Sequence, residues 1–338
     1  MAEIIRKKIT MKAKNITFMC VQPAIPYFAW QIEVMLQNFK SLGIHAQNQV
    51  DILFSYNPND AEFESKIEYV KKVEQRYKDV ADFFYYPDTR ENPISYISSI
   101  RPNVLKQHFK ANPQLEEECV FYHDCDIIFT KYPDFIKGVC VDDLNWYVSD
   151  TISYLGYDYV KSKGDDVLDA MCKIVGIHPE LVKERQLQAG GAQYIMKKVD
   201  WVFWHKVEKD CEKLFADITA LNIQKKIADP THHEIQIWCS DMWAIVWNAW
   251  LRGYNTNVIP EMNFCWATEP IKRFDETYIM HNAGVTKAIA DTHFFKGDYI
   301  NELPYNQSGE TYDQTTCSYK YFTLVKEIGK TSVLYEQD

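Results

Sequence analysis

The chain has 338 residues, 46% hydrophobic and 25% charged, with 37 Lys and Arg against 47 Asp and Glu for a formal net charge of −10. This composition excludes intrinsic disorder and matches a globular protein of about two domains, or one large α/β domain with insertions. The acidic balance argues against a broad face that tracks nucleic acid or anionic membrane, because neutralising phosphates needs a basic surface.

The most apolar run, Trp243–Leu251 with Asn248 inside it, falls far short of the roughly 18 residues that a membrane span requires. The first residues scatter their charges and contain no apolar stretch of the secretory kind, so the expectation is a cytoplasmic chain with no transmembrane segment. The nine cysteines are odd in number and lack a C-x-x-C, and read as reduced core thiols in keeping with that compartment.

In chain order, residues 1–14 carry Arg6, Lys7, Lys8, Lys12 and Lys14 against a lone Glu3 and read as a basic arm. Asn15–Val21 reads as a strand and Gln22-Pro23 as a break. A helix follows with Phe28, Ile32, Met35, Leu36 and Phe39 at helical spacing, stopping at Gly43. Val50–Phe54 is a second strand, Asn57–Asp60 a turn, and Phe63, Ile67, Val70 and Tyr77 mark the next helix face. Asp82–Tyr86 is a third strand, Tyr96–Phe109 a helix interrupted near Pro102, and Cys119–His123 a fourth strand. This alternation predicts an α/β fold with a mostly parallel central sheet flanked by helices and ligands at the carboxyl ends of its strands. No G-x-G-x-x-G follows the first strand and no G-x-x-x-x-G-K-S/T occurs, which argues against nicotinamide dehydrogenases and P-loop nucleotidases.

The second half predicts a helix over Asp165–Val175 and a strand over Ala192–Met196. An amphipathic helix then carries Trp201, Trp204, Val207, Cys211, Leu214 and Phe215, and an apolar helix lies around Ile235–Leu251. The 14% aromatic content is mostly core material, although flat rings beside a polar cleft also stack on sugars or bases.

The segment Val120–Phe129, VFYHDCDIIF, delivers Asp124 and Asp126 where an apolar strand ends. In extended backbone residues i and i+2 point the same way, so both carboxylates can face one hard cation, Mn2+ or Mg2+, set against a diphosphate. The competing reading is a loop or capping pair of aspartates. Gly190-Gly191 permits close backbone approach to a ligand or makes a tight turn. Asp241, among Trp238, Cys239, Met242 and Trp243, needs a partner for its carboxylate or serves as a helix cap.

The D-x-D at the end of a central strand resembles that of the GT-A nucleotide-sugar glycosyltransferases. Ile100–Phe109 (IRPNVLKQHF) is similar to the Arg/Lys-Pro helix segment of hydroxyproline O-arabinosyltransferases and serine galactosyltransferases, and Pro133 to the proline that often follows their D-x-D. Gln188–Tyr194 (QAGGAQY) looks like the glycine-containing strand beneath the donor sugar, and Trp238–Trp243 (WCSDMW) like the W-x-x-E/D-M segment. Tyr278–Gly284 (YIMHNAG) resembles the late histidine-glycine segment of glycogenin-like members. The likeness runs over residues 15–300. It implies a GT-A catalytic domain with a nucleotide-binding half at 15–130 and an acceptor and sugar-binding half at 131–300, followed by a C-terminal extension at 301–338.

What the resemblance implies is transfer of a sugar from a nucleoside diphosphate, UDP above all, to a hydroxyl acceptor that can be a protein, a glycan or a modified nucleic-acid base. Asp124, Asp126 and His281 would bind Mn2+ or Mg2+. Asp124, Arg101, Gln22, Pro23, Gly190 and Gly191 would contact the donor, and Asp241 and Gln193 would serve the reacting centre. The glycogenin-like Lys-Pro-Trp continuation is missing after Gly284, so Lys287 or Lys296 would supply the cation for the diphosphate. Inversion would use a base such as Asp241, whereas retention would use the leaving phosphate as proton acceptor, and the arabinosyl- and galactosyltransferase-like segments favour retention. His232-His233 lacks metal-site spacing and reads as a loop or acceptor-cleft pair. Two alternatives are a non-catalytic nucleotide-sugar-binding module and a haloacid-dehalogenase-like phosphatase, whose D-x-D normally follows the first strand.

Overall fold

The structure is a computed structural model that describes residues 16–91, 95–139 and 142–334. The basic arm at 1–14 lies outside the described residues. Seven strands make the main sheet: β1 Thr17–Pro23, β2 Gln49–Tyr56, β3 Asp82–Pro87, β4 Val120–His123, then β6 Asn145–Asp150, β7 Gly190–Met196 and β8 Asn255–Val258. Their order is β3-β2-β1-β4-β7-β6-β8, and only β7 runs antiparallel to its neighbours. This is the expected α/β architecture with a mostly parallel sheet. Residues 15–130 and 131–300 both contribute strands to it, so the two predicted halves share one sheet.

The central strands are apolar on both faces because helices cover both faces. Along β1, Phe18 and Cys20 enter one core while Met19 and Val21 enter the other, as the two-residue period of a strand dictates. The first core is closed by α1 (Pro26–Ser41), α2 (Phe63–Tyr77) and the last long helix. The second is closed by α3 (Ile100–Ala111), α4 (Asp165–Val175), α5 (Trp201–Ala228) and α6 (Ser240–Leu251). The last long helix, α7 (Cys317–Gly329), packs Tyr321, Phe322 and Val325 into the same core as α1, so the C-terminal extension is part of the body of the fold.

Pro102 does not interrupt α3. It lies in the first turn, where a backbone N–H has no intrahelical partner to lose, and the helix starts at Ile100 rather than Tyr96. The apolar helix starts at Ser240 after a short 3-10 turn over Ile237–Cys239. The cysteine reading also needs correcting. Seven described cysteines are buried free thiols, but Cys119 is disulfide-bonded, a pairing that sequence spacing without a C-x-x-C gives no means to foresee. Among the described residues no helix is long and apolar enough to cross a membrane.

A second, three-stranded sheet positions the site. Its strands are β5 (Ile127–Phe129), β9 (Phe264–Trp266) and β10 (Ile279–His281), in the order β5-β10-β9. β10 pairs antiparallel with β5, placing His281 opposite Ile127, and the Asn282 amide donates to the Asp126 carbonyl at 2.9 Å.

Candidate metal and donor site

Asp124, Cys125 and Asp126 form the turn that joins β4 to β5. Cys125 faces away toward α1, its Sγ lying 3.8 Å from Gln31 Oε1, which leaves both aspartates on the opposite side. The turn is fastened by His123, whose Nδ1 lies 2.8 Å from the Asp124 carbonyl oxygen. Burial pushes the His123 imidazole down to about 4, so it is neutral there.

The expected triad assembles. Asp124, Asp126 and His281 each offer a ligand atom, and these atoms all lie within 4.8 Å of one another. His281 Nε2 is 3.2 Å from Asp126 Oδ1 and 3.7 Å from Asp124 Oδ2. The other oxygen of each carboxylate is already taken: Arg101 Nη1 lies 2.6 Å from Asp124 Oδ1, and Lys296 Nζ contacts Asp126 Oδ2. Each aspartate thus turns one oxygen toward a common centre and anchors the other to a protein cation. Two carboxylates and an imidazole suit a divalent ion such as Mn2+ or Mg2+. Burial alone would raise the Asp126 pKa, but Lys296 and His281 outweigh it and hold the carboxyl well below the usual carboxylate range, so it is ionised.

Arg101 spans the floor of the site. Its Nη2 reaches Asp241 Oδ2 at 2.6 Å, and Tyr96 donates to Asp241 Oδ1 at 2.7 Å. Asp241 stands in the first turn of α6 but does not cap it; both of its oxygens are committed to partners from the α3 side. The Tyr194 hydroxyl is buried without a hydrogen-bond partner, and burial together with the charge of Asp241 raises its pKa well above the ordinary value. Tyr96 and Tyr194 were not singled out from the sequence. In a chain with 22 tyrosines nothing local distinguishes them.

Gln193 reaches the site through a bulge. The β6–β7 register shifts between Val148 and Ser149, and Ala192 takes a left-handed φ of 66°, an uncommon conformation for a residue with a Cβ. The bulge leaves Gln193 fully buried between Ser149, whose Oγ is 2.6 Å from Oε1, and His281, whose Nδ1 is 3.5 Å from Nε2. Gln193 therefore backs the imidazole. The two glycines have an internal explanation as well. A Cβ on Gly190 would come within 2.3 Å of Val148 Cγ2 and 2.5 Å of the Ser149 carbonyl oxygen, and one on Gly191 within 2.7 Å of Met242 Cε and 2.8 Å of the Tyr194 hydroxyl.

Of the two candidate lysines, only Lys296 joins the cluster. Lys287 pairs with Asp298 at 2.6 Å on the surface. His281 is flanked by aromatic rings, with Trp266 lying nearly parallel at 10° and 6.1 Å and Phe264 at 5.2 Å. At the carboxyl ends of β1 to β3 a cleft of about 130 Å³ is lined by Pro23, Tyr56, Asn57, Phe63 and Arg90, and continues to Ile100 beside Arg101. Gln22 is buried one residue before Pro23. His233 is exposed in the loop before α6, and neither it nor His232 belongs to the metal-ligand cluster.

No family model and no curated protein matches the chain. Solved structures do resemble it. The bifunctional glycosyltransferase WbbM in its apo form is 9% identical at a TM-score of 0.46, over 95% of this chain and 52% of that one, so the chain spans about half of WbbM. The galactosyltransferase LgtC, solved with donor and acceptor sugar analogues, is 9% identical at a TM-score of 0.44, over 92% of this chain and 95% of that one. The glycosyltransferase GlyE of Streptococcus pneumoniae is 11% identical at a TM-score of 0.41, over 96% and 65% respectively.

Proposed function

We propose that the chain is a GT-A-type, metal-dependent glycosyltransferase that moves a sugar from a nucleoside diphosphate sugar, UDP in the first instance, to a hydroxyl acceptor. The observation that carries this reading is the convergence of Asp124 Oδ2, Asp126 Oδ1 and His281 Nε2 at the carboxyl end of a central strand, next to the cleft at β1 to β3. Open α/β sheets bind ligands there. A bound Mn2+ or Mg2+ would neutralise charge on the departing diphosphate. The residues of this chain would do the rest. Pro23 and the cleft beside it would border the base, and Arg101 would hold Asp124 and Asp241 rigid beneath the sugar.

The stereochemical proposal is retention. Inversion needs a free base opposite the leaving group, and Asp241, the carboxylate considered for it, has both oxygens engaged by Tyr96 and Arg101. In the retaining course the bond from the anomeric carbon to the diphosphate oxygen breaks, the acceptor oxygen bonds to that carbon on the same face, and the acceptor proton passes to the departing phosphate oxygen.

The test is release of nucleoside diphosphate from a panel of UDP-, GDP- and dTDP-sugars with Mn2+, Mg2+ or EDTA, comparing native protein with Asp126→Ala. Metal-dependent release of one nucleotide, lost in the variant, is the expected result. Metal-linked nucleotide binding without turnover would instead assign a binding module, and absence of both would remove the reading.

A further inference from the structure

Lys296 makes a contact whose consequence extends beyond holding a carboxylate. It opens the short 3-10 turn Lys296–Tyr299, and its side chain is 28% exposed against 6% for the Asp126 carboxylate it touches. The lysine side chain is thus partly open to solvent while the carboxylate it touches is not. Asp126 is its only hydrogen-bond partner among the described residues, so a group with three donors has capacity to spare. Arg101, by contrast, is committed at both ends of its fork.

The local charges sharpen the point. Asp124, Asp126 and Asp241 are offset by Arg101 and Lys296, so three carboxylates face two cations and one negative charge is left over before any ion is bound. A divalent cation entering between Asp126 Oδ1 and His281 Nε2 would meet the positive charge of Lys296 across the same carboxylate, and like charges at such range repel.

We propose that Lys296 is an internal competitor for the divalent cation: it occupies Asp126 in the metal-free protein, keeps metal affinity low, and is relieved only when a diphosphate offers the ammonium another partner. Metal and nucleotide then bind cooperatively, because each lowers the cost of admitting the other. The inference rests on the metal-dependent transferase reading and adds the origin of the coupling.

The experiment measures Mn2+ binding to the full chain by electron paramagnetic resonance of the free ion, with and without UDP, correcting for chelation by UDP in protein-free blanks. Native protein should bind Mn2+ about tenfold tighter when UDP is present. Lys296→Met should bind Mn2+ alone about tenfold tighter than native and lose most of the gain from UDP, while Lys296→Arg keeps the native pattern. Lys296→Gln, which retains a donor to Asp126 but no charge, should behave like Lys296→Met and serves if the methionine variant does not fold. If native protein shows the coupling and both neutral variants bind Mn2+ no tighter than native, Lys296 merely orients Asp126 and the inference falls alone. If native protein binds no Mn2+ with or without UDP, the inference falls together with the transferase reading.

Discussion

Arg101 and Asp241 meet at 2.6 Å, joining α3 to α6, while the opposite arm of the same guanidinium holds Asp124 at 2.6 Å. The Asp124, Asp126 and His281 cluster and the start of α6 are therefore joined through one residue. Burial works against the charge on Arg101, but Asp241 first among its neighbours more than restores it, so the fork stays protonated. Arg101→Ala would strand Asp241, which is 3% exposed, with only Tyr96 as a side-chain donor. Loss of about 3 kcal/mol in urea unfolding is expected, the usual scale for breaking a buried pair. Arg101→Lys, which cannot span both carboxylates, should lose turnover while retaining more of the stability. Equal stability of the alanine variant and native protein would show that Asp241 is not dependent on the pair.

Gln193 should matter through His281. A ligating histidine donates its other ring N–H to an acceptor, so ligation through Nε2 needs the Gln193 amide beside Nδ1 to turn its Oε1 to the Nδ1–H and leave its Nε2 to the Ser149 hydroxyl. Gln193→Leu should weaken Mn2+ binding by about 10- to 100-fold, measured by titration calorimetry. Ser149→Ala, one bond further out, should weaken it less. A leucine variant with native metal affinity but slowed transfer would place Gln193 against the reacting sugar instead.

The glycine pair gives an ordering rather than a single value. At Gly190 an added methyl meets Val148 and the Ser149 backbone, which cannot give way without moving β6; at Gly191 it meets the flexible end of Met242 and the Tyr194 hydroxyl. Overpacking of this kind costs about 1–3 kcal/mol. Gly190→Ala should therefore lie toward the upper end and Gly191→Ala toward the lower, read from thermal or urea midpoints. The reverse order would mean that the β6 strand yields more readily than the α6 contact.

The legible parts of this site are those where one residue type is forced by a local pattern. An apolar strand ending in D-x-D marked Asp124 and Asp126, and an isolated histidine in an apolar run marked His281, because strand-end carboxylates and buried imidazoles are costly without a purpose. The supporting residues were not legible in the same way. Gln193 owes its aim to a bulge that shifts the β6–β7 register by two residues, and Tyr96 meets Asp241 from a loop 145 positions away. Lys287 and Lys296 are nine residues apart, and the folding of the turn at Lys296–Tyr299 decides which one reaches Asp126. The parallel sheet was readable from its alternation, whereas the incorporation of residues 301–334 into the core depends on a contact from the first helix.

That contact is Glu33, a carboxylate with no exposed surface on α1 between Ile32 and Val34. Tyr305 donates to its Oε2 at 2.6 Å, Ser332 to the same oxygen at 2.5 Å, and the Val333 amide to Oε1 at 3.2 Å, so the C-terminal segment closes on one buried acid. Burial raises its pKa despite these donors. The sign follows from linkage: an acid whose folded pKa lies above its unfolded value contributes fully below about pH 4.3 and loses that contribution as pH rises through the folded value. Glu33→Gln keeps an acceptor without the ionisation. Its stability relative to native should therefore improve between pH 4.5 and pH 8, seen as a narrowing or reversal of the gap in urea midpoints. A gap that widens over that range would mean that the three donors stabilise the carboxylate more than burial opposes it, and that Glu33 grips the C-terminal segment as an anion.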